Sequence, residues 1–243
     1  MTEQKLIRGW ASGTAGVKIR LATADDIPAI AELAPAAGLE LGAEMAEAIR
    51  SGAMGTAHRA GLAGRGREHG QPAFSRAIAQ AFAEHGPDHV YAVAALVLVA
   101  EHREHGVIGT VIAFPPGNVA EQYVEHAERT GAAAPDVRKI IAGGAIALAK
   151  VSALAVAEPH RGSGIGAALL SRTKKVYFAN GYIYVYGQIR PDRPGLAAFY
   201  RRQGFDVREP DEGLDLWVVF GIPGGILPDQ GERFFVRGRP RDD

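Results

Sequence analysis

The chain has 243 residues, enough to bury a full hydrophobic core and near the upper size for one domain. Lys+Arg and Asp+Glu both total 27, so a net charge of zero gives no global drive toward nucleic acid and no steering of acidic substrates. Cysteine is absent, which excludes disulfides, thiolate metal ligands and a cysteine nucleophile.

The first ten residues, Met1 to Trp10, lack the apolar core and small-residue cleavage site of a secretory signal. The most apolar run, residues 90–100, is about half of the roughly 20 residues that span a bilayer. A soluble cytoplasmic protein without a membrane segment is expected. Residues 17–21 alternate in polarity and read as a half-buried first strand. Thr23 followed by Ala24-Asp-Asp-Ile-Pro28 supplies a capping hydroxyl, first-turn acids and an early proline, the start of a helix. Its apolar stripe is Ile27, Ile30, Ala31, Leu33 and Ala34, and Pro35 ends or kinks it. A second helical pattern covers 39–49. Residues 51–72 are rich in Gly, Ala and Arg, lack bulky apolar periodicity and read as a mobile loop.

Residues 73–84 read as a helix with Phe74, Ile78 and Phe82 at four-residue spacing, stopped by His85-Gly-Pro-Asp88. Residues 90–100 and 107–114 are β-branched and aromatic, flank a polar turn from Glu101 to Gly106, and predict a hairpin. Residues 115–144 form an inserted helix and connection, the helix running from Val119 to Arg129. Residues 145–157 read as a long apolar strand that runs into Glu158-Pro-His-Arg-Gly-Ser-Gly-Ile-Gly166 and a helix from Gly164 to Asn180, closed by Gly181. A strand over 182–189, a helix over 195–203 and a strand over 214–220 follow. Residues 221–243 form a Pro/Gly-rich C-terminal extension with one apolar cluster, Phe234-Phe-Val236. Strands and helices interleave without a linker or repeat, so the class is α/β or α+β, a single domain over 1–243 around one mixed sheet.

The glycine-rich turn carries the clearest chemistry. A diphosphate needs several unpaired backbone N–H groups converging on one point, and a helix N-terminus supplies donors and a favourable dipole. Gly162, Gly164 and Gly166 remove Cβ atoms from that approach, Ser163 offers a hydroxyl and Arg161 a charge-assisted contact. Gly162-x-Gly164-x-x-Ala167 also fits a loose dinucleotide fingerprint, but Glu-Pro-His-Arg separates it from the strand. No Gly-Lys-Ser/Thr is present, which excludes a nucleoside-triphosphate loop.

The run Val151-Ser-Ala-Leu-Ala-Val-Ala-Glu-Pro-His-Arg-Gly-Ser-Gly-Ile-Gly-Ala-Ala-Leu-Leu170 closely resembles the acetyl-CoA motif of the GNAT superfamily of N-acetyltransferases. That motif is Arg/Gln-x-x-Gly-x-Gly/Ala after a strand and a short Pro-containing turn. Further along, Ala197-Ala-Phe-Tyr-Arg-Arg-Gln-Gly-Phe205 resembles the second hallmark, a helix ending in Tyr-x-x-x-Gly-Phe. The likeness is strong over 145–207. The N-terminal strand and helices match only in order, and the segment between them is longer than usual for the family.

The resemblance implies one domain with a mixed, mostly antiparallel central sheet, splayed at the cofactor site and flanked by helices. It implies acetyl-CoA as co-substrate, no metal, and direct attack of an amine on the thioester, so no nucleophilic side chain is required. The backbone of Leu154, Ala155 and Val156 would bind the pantetheine arm and polarise the thioester carbonyl. Arg161, Gly162, Ser163, Gly164, Ile165, Gly166 and Ala167 would hold the pyrophosphate. Tyr200 matches the family tyrosine that protonates the leaving thiolate. Arg193 stands where the family often has a cofactor-contacting asparagine, and is either a cationic contact or a solvated loop residue.

No residue identifies itself as the general base. Ser152 is a poor base, and Glu158 lies past the strand end and caps the turn. Glu101, His102, Glu104 and His105 lack the His-Glu-x-x-His order of a metal helix and read as a solvated turn. Tyr182, Tyr184 and Tyr186 share one strand face, either packed or an acceptor wall. The expected reaction is acetyl transfer to a primary amine of a small molecule such as an antibiotic or metabolite. The alternatives are a protein or aminoacyl-tRNA acceptor, the latter calling on Arg59, Arg65 and Arg67 for a basic face, and a non-catalytic acyl-CoA sensor. By the same resemblance, residues 51–72 stand where acceptor-binding elements lie, as a lid or specificity loop, and a homodimer is common.

Overall fold

The computed structural model describes residues 2–64, 70–193 and 195–240. Helix α1 (Glu3–Arg8) starts at Thr2, whose hydroxyl accepts from Lys5 N at 3.3 Å. Strands β1 (Trp10–Ala11) and β2 (Val17–Leu21) follow. The predicted cap at Thr23 is formed: its N–H and hydroxyl both donate to Asp26 Oδ2, at 2.8 and 2.9 Å. Helix α2 (Ile27–Leu33) then tightens into a 3-10 turn, Ala34–Ala37, where Pro35 removes a donor. Next come α3 (Ala43–Arg50), α4 (Thr56–Ala63), α5 (Gly70–His85), α6 (Pro87–Ala94), β3 (Leu96–His102), β4 (Gly106–Phe114), α7 (Val119–Thr130), α8 (Val137–Ala147) and β5 (Leu148–Val156). The chain ends with α9 (Ile165–Ala179), β6 (Tyr184–Ile189), α10 (Gly195–Arg202), β7 (Asp206–Val207), β8 (Leu214–Asp215), α11 (Trp217–Phe220), β9 (Gly225–Ile226) and β10 (Arg233–Gly238). The class is mixed α/β, with a mostly antiparallel central sheet flanked by helices.

The chain divides into two compact units, one of residues up to Phe114 with Val151–Gly181, the other of Pro115–Lys150 with the chain from Tyr182 on. In the first, the strand order is β1-β2-β3-β4-β5. Leu96 to Ala100 are fully buried, which is why this stretch reads as an unbroken apolar run rather than an alternating one. In the second, β6 pairs in parallel with Leu148–Lys150 of β5 and antiparallel with β10, which also pairs with β7. The Phe234-Phe-Val236 cluster, expected in a C-terminal extension, is thus an interior strand of this sheet. Its core gathers Tyr123, Ile140, Leu148, Tyr186, Leu216 and Phe234.

Several boundaries differ from the sequence expectation, each for a local reason. Residues 90–94 are helical rather than extended, because Pro87 at the helix start and the alanines behind it favour α6, and the strand begins at Leu96. Residues 145–147 complete α8, whose N-terminus is fixed by the Asp136 carboxylate accepting from Lys139 N. Residues 217–220 form α11 instead of a strand, since Asp215 Oδ1 accepts from Trp217 N at 2.7 Å and starts a turn. On α5, Phe74 and Ile78 are buried as expected, but Ala81 takes the next inward position and Phe82 is half exposed.

The loop expected over 51–72 is largely helical: α4 fills 56–63 and α5 begins at Gly70, while 65–69 lie outside the described residues. Helix α4 buries Ala57, His58, Gly61 and Leu62. Small residues and a histidine occupy the inward face, so the usual apolar signature is missing. His58 is fully buried, stacked on Phe74 at 5.2 Å and edge-on to Tyr177 at 4.7 Å. Its Nε2 donates to Ala94 O at 2.8 Å, and its Nδ1 accepts from Asn180 Nδ2 at 3.1 Å, the bonding of a neutral ring. Burial pushes the imidazole down to about 4, partly offset by the Ala94 carbonyl. Asn180 Nδ2 also donates to Val176 O, and Tyr177 OH to Ala113 O, so the cluster ties α4 to α9 and β4.

Two outcomes follow. A histidine with a lower pKa in the folded chain contributes stability that is complete above its unfolded value and withdrawn as pH falls from about 6.5 toward 4. The wild-type unfolding free energy should therefore drop by about 2 kcal/mol more between pH 7 and 5 than that of His58→Gln, read from urea midpoints; parallel curves would refute this. At Gly61, an added Cβ would sit 1.9 Å from Asn180 Oδ1. The overpacking cost of about 1–3 kcal/mol exceeds the gain in helix propensity of about 1 kcal/mol, so Gly61→Ala should lower the urea midpoint.

Candidate functional site

Strand β5 leads into the glycine turn within the first unit. Alternate residues of a strand address opposite edges with their backbone groups. Ala157 N donates to Ile108 O at 2.8 Å, and Ala155 O lies 3.1 Å from where a Cβ on Gly109 would sit. Ala153, Ala155 and Ala157 therefore turn their backbone toward β4. Leu154 and Val156 turn theirs the other way, which singles out these two among the three strand residues picked from the sequence. Val156 O accepts from Arg161 Nε at 3.1 Å, so the guanidinium folds back over the strand end. Within the second unit, Leu148–Lys150 of β5 pair in parallel with Tyr184–Tyr186 of β6.

After β5 the chain makes a 3-10 turn, Glu158–His160, and then the glycine segment. Gly162 and Gly164 have φ of 77° and 86°, a region that disfavours any residue with a Cβ, and Gly164 is the N-cap of α9. A Cβ at either would meet nothing within 4 Å, so both face open space. The first backbone bond of α9 is Ala168 N to Gly164 O at 3.0 Å, which leaves the amides of Ile165, Gly166 and Ala167 without an intrahelical acceptor. Ser163 is engaged twice: its hydroxyl donates to His160 O at 2.5 Å and its carbonyl accepts from Thr14 Oγ1 at 2.9 Å. Both bonds hold the turn in shape. Ile165 and Leu169 anchor the helix in the core.

Tyr200 and Arg193 belong to the second unit. Tyr200 is buried on α10, stacked on Phe235 at 3.6 Å and edge-on to Phe199 and Phe205. Burial pushes its phenol well above the usual tyrosine range, so it stays protonated, and it makes no hydrogen bond to the described residues. Arg193 is exposed and 3.7 Å from Asp192, which Arg190 also holds.

The other candidates are mostly structural. Glu101 is bonded to Lys18 and Arg20, and Arg20 also grips Asp26. Burial alone would raise the Glu101 carboxyl, but these cations hold it below the ordinary range, which makes it a poor base. His102 and His105 stack at 4.4 Å, with His160 5.0 Å from His105, and among the described residues no group of three or more His, Asp or Glu is arranged to hold a metal. Tyr182 donates to Ala145 O at 2.6 Å and Tyr186 packs edge-on to Phe234, so packing accounts for both rather than an acceptor wall. Arg59 pairs with Glu3 at 3.2 Å, and Arg65 and Arg67 lie outside the described residues.

A cavity of about 750 Å³ in the first unit was not foreseen from the sequence. It is lined by residues 8–11, 13–18, 101 and 103, including Arg8, Lys18 and Arg103. Its basic residues come from three separate segments, so no local motif marks it.

No helix of the described residues is long and apolar enough to cross a membrane. No curated protein matches the chain. Among solved structures, Ard1 from Thermoplasma volcanium is 13% identical, with 93% of this chain and 100% of that one covered at a TM-score of 0.46. A GNAT superfamily phosphinothricin acetyltransferase from Sinorhizobium meliloti, in complex with AcCoA, is 18% identical over 92% and 89% of the two chains, TM-score 0.45. An acetyltransferase from Streptococcus agalactiae is 16% identical over 60% and 67%, TM-score 0.39. Likenesses this distant say nothing of the substrate. The family model described as "Acetyltransferase (GNAT) domain" matches residues 93–207, which include β5, the glycine turn, α9 and Tyr200. Residues 93–207, a little under half of the chain, are thus similar to the acetyltransferase domain of the GNAT family.

Proposed function

We propose that the protein transfers an acetyl group from acetyl-CoA to a primary amine, with a small molecule such as an antibiotic or metabolite preferred over a protein or aminoacyl-tRNA acceptor. The observation that carries this is the turn itself: two glycines at positive φ and a row of unpaired amides at the start of α9, directly after β5 inside the matched domain. Such an arrangement fits a diphosphate. Acetyl-CoA supplies the activated acyl group as a thioester. The amides of Gly162 to Ala167 hold its diphosphate, and Arg161 adds its free guanidinium nitrogens. Leu154 and Val156, whose backbones turn away from β4, offer N–H donors to the arm and to the thioester carbonyl. Tyr200 donates its proton to the departing sulfur, and burial keeps the phenol protonated until that step.

Calorimetry should show acetyl-CoA binding that falls at least about tenfold in Gly164→Glu, whose carboxylate would displace the phosphate. Gly164→Asn, which tolerates the same backbone region without a charge, should bind better than the glutamate variant. Equal binding by all three proteins would remove the turn from the site.

The stack of Tyr200 on Phe235 favours a second reading, in which the ring is kept for packing and the chain binds acyl-CoA without turnover. Tyr200→Phe preserves that stack. Its rate of CoA release, across a panel of amines, should fall by about 10² or more with cofactor affinity unchanged. An unchanged rate would reject the acid role, and no release from the wild type with any amine would favour the second reading.

A further inference from the structure

The cavity of the first unit adjoins the glycine turn, because Thr14, one of its lining residues, donates to Ser163 O at 2.9 Å. Its charge balance is positive. Arg8 has no ion-pair partner among the described residues, and Arg103 pairs only with the exposed Glu104. Its one lining carboxylate, Glu101, is already neutralised by Lys18 and by Arg20. The loop along its rim adds donors: the amides of Gly13, Ala15 and Gly16 meet no acceptor among the described residues, while those of Ser12, Thr14 and Val17 are engaged. A Cβ at Gly13 would meet nothing within 4 Å, so that backbone lies open. Cationic side chains together with free, open amides make an oxyanion receptor.

We propose that this cavity takes a second phosphate of the same ligand, the 3′-phosphate on the ribose of coenzyme A, with Arg8 and Arg103 as its main cationic contacts. The inference rests on the acetyl-CoA reading above and deepens it. In coenzyme A, one ribose separates the diphosphate from the 3′-phosphate. A diphosphate on the turn therefore delivers the second phosphate to a neighbouring surface, and the cavity borders the turn through Thr14 and Ser163. The ε-ammonium of Lys18 is shared with Glu101 and contributes mainly long-range charge.

The test compares coenzyme A with dephospho-coenzyme A, which keeps the diphosphate and lacks the 3′-phosphate. Calorimetry on the full chain should find coenzyme A about tenfold tighter, as expected of charge-assisted contacts. In the double variant Arg8→Gln/Arg103→Gln the two ligands should bind alike, with affinity for dephospho-coenzyme A unchanged. Both side chains are on the surface, and a thermal melt checks that the fold is kept. The Arg8→Lys/Arg103→Lys protein should retain most of the preference. Equal affinity of the wild type for both ligands would overturn the proposal and leave the acetyl-CoA reading standing. A preference that survives the glutamine pair would place the 3′-phosphate elsewhere. Binding of neither ligand by the wild type would defeat the acetyl-CoA reading and this inference together.

Discussion

A strand has two hydrogen-bonding edges, and β5 divides its edges between neighbours. Leu148–Lys150 pair with β6, while Ala153, Ala155 and Ala157 turn to β4. That division leaves over the backbone groups of Leu154 and the N–H of Val156, while Val156 O accepts from Arg161 Nε. Backbone donors and acceptors cannot be left without partners at no cost, so an edge of this kind calls for water or a ligand. The side chains obey the same alternation: Ala153 and Ala155 are buried, while Leu154 and Val156 are only partly covered. The residue identities fit the two jobs, small alanines where β5 meets the core and larger apolar residues on the more open face.

The glycine turn inherits its position from this strand and its shape from a few local bonds. Arg161 folds back onto Val156 O, and Ser163 bonds to His160 O and Thr14. Those contacts hold the turn in shape, and the amides of Ile165, Gly166 and Ala167 keep no intrahelical acceptor. The helix behind the turn is held by buried Ile165, Leu169 and Leu170, and at its far end by Asn180 and Tyr177 in the His58 cluster. A site made of backbone donors depends on such support, because its geometry is only as well defined as the elements that carry it.

The glycine turn was legible in the sequence because everything it needs is local: glycines at set spacing, a proline turn before and an amphipathic helix after. The cap at Thr23 and the helix holding Tyr200 were legible for the same reason. The failures were of two kinds. Short apolar runs such as residues 90–100 and 145–157 do not announce helix or strand, and a proline at a helix start, Pro87, and a cap at Asp136 decided the matter. Helix α4 was invisible because its inward residues are Ala57, His58, Gly61 and Leu62, and its stability comes from tertiary bonds to Ala94 and Asn180 rather than from an apolar stripe. The β10 strand was hidden by glycine- and proline-rich flanks, although its Phe234-Phe-Val236 core was noticed.

Tyr200 is held by packing that also sets where its hydroxyl points. Its stack on Phe235, with Phe199 and Phe205 at its edges, fixes the ring plane and therefore the direction of the phenol. The same burial that fixes the ring disfavours the phenolate, so the proton is retained at neutral pH. Phenylalanine would satisfy every ring contact seen here. The hydroxyl adds nothing to that packing and bonds to no described residue, so ring packing alone does not account for it.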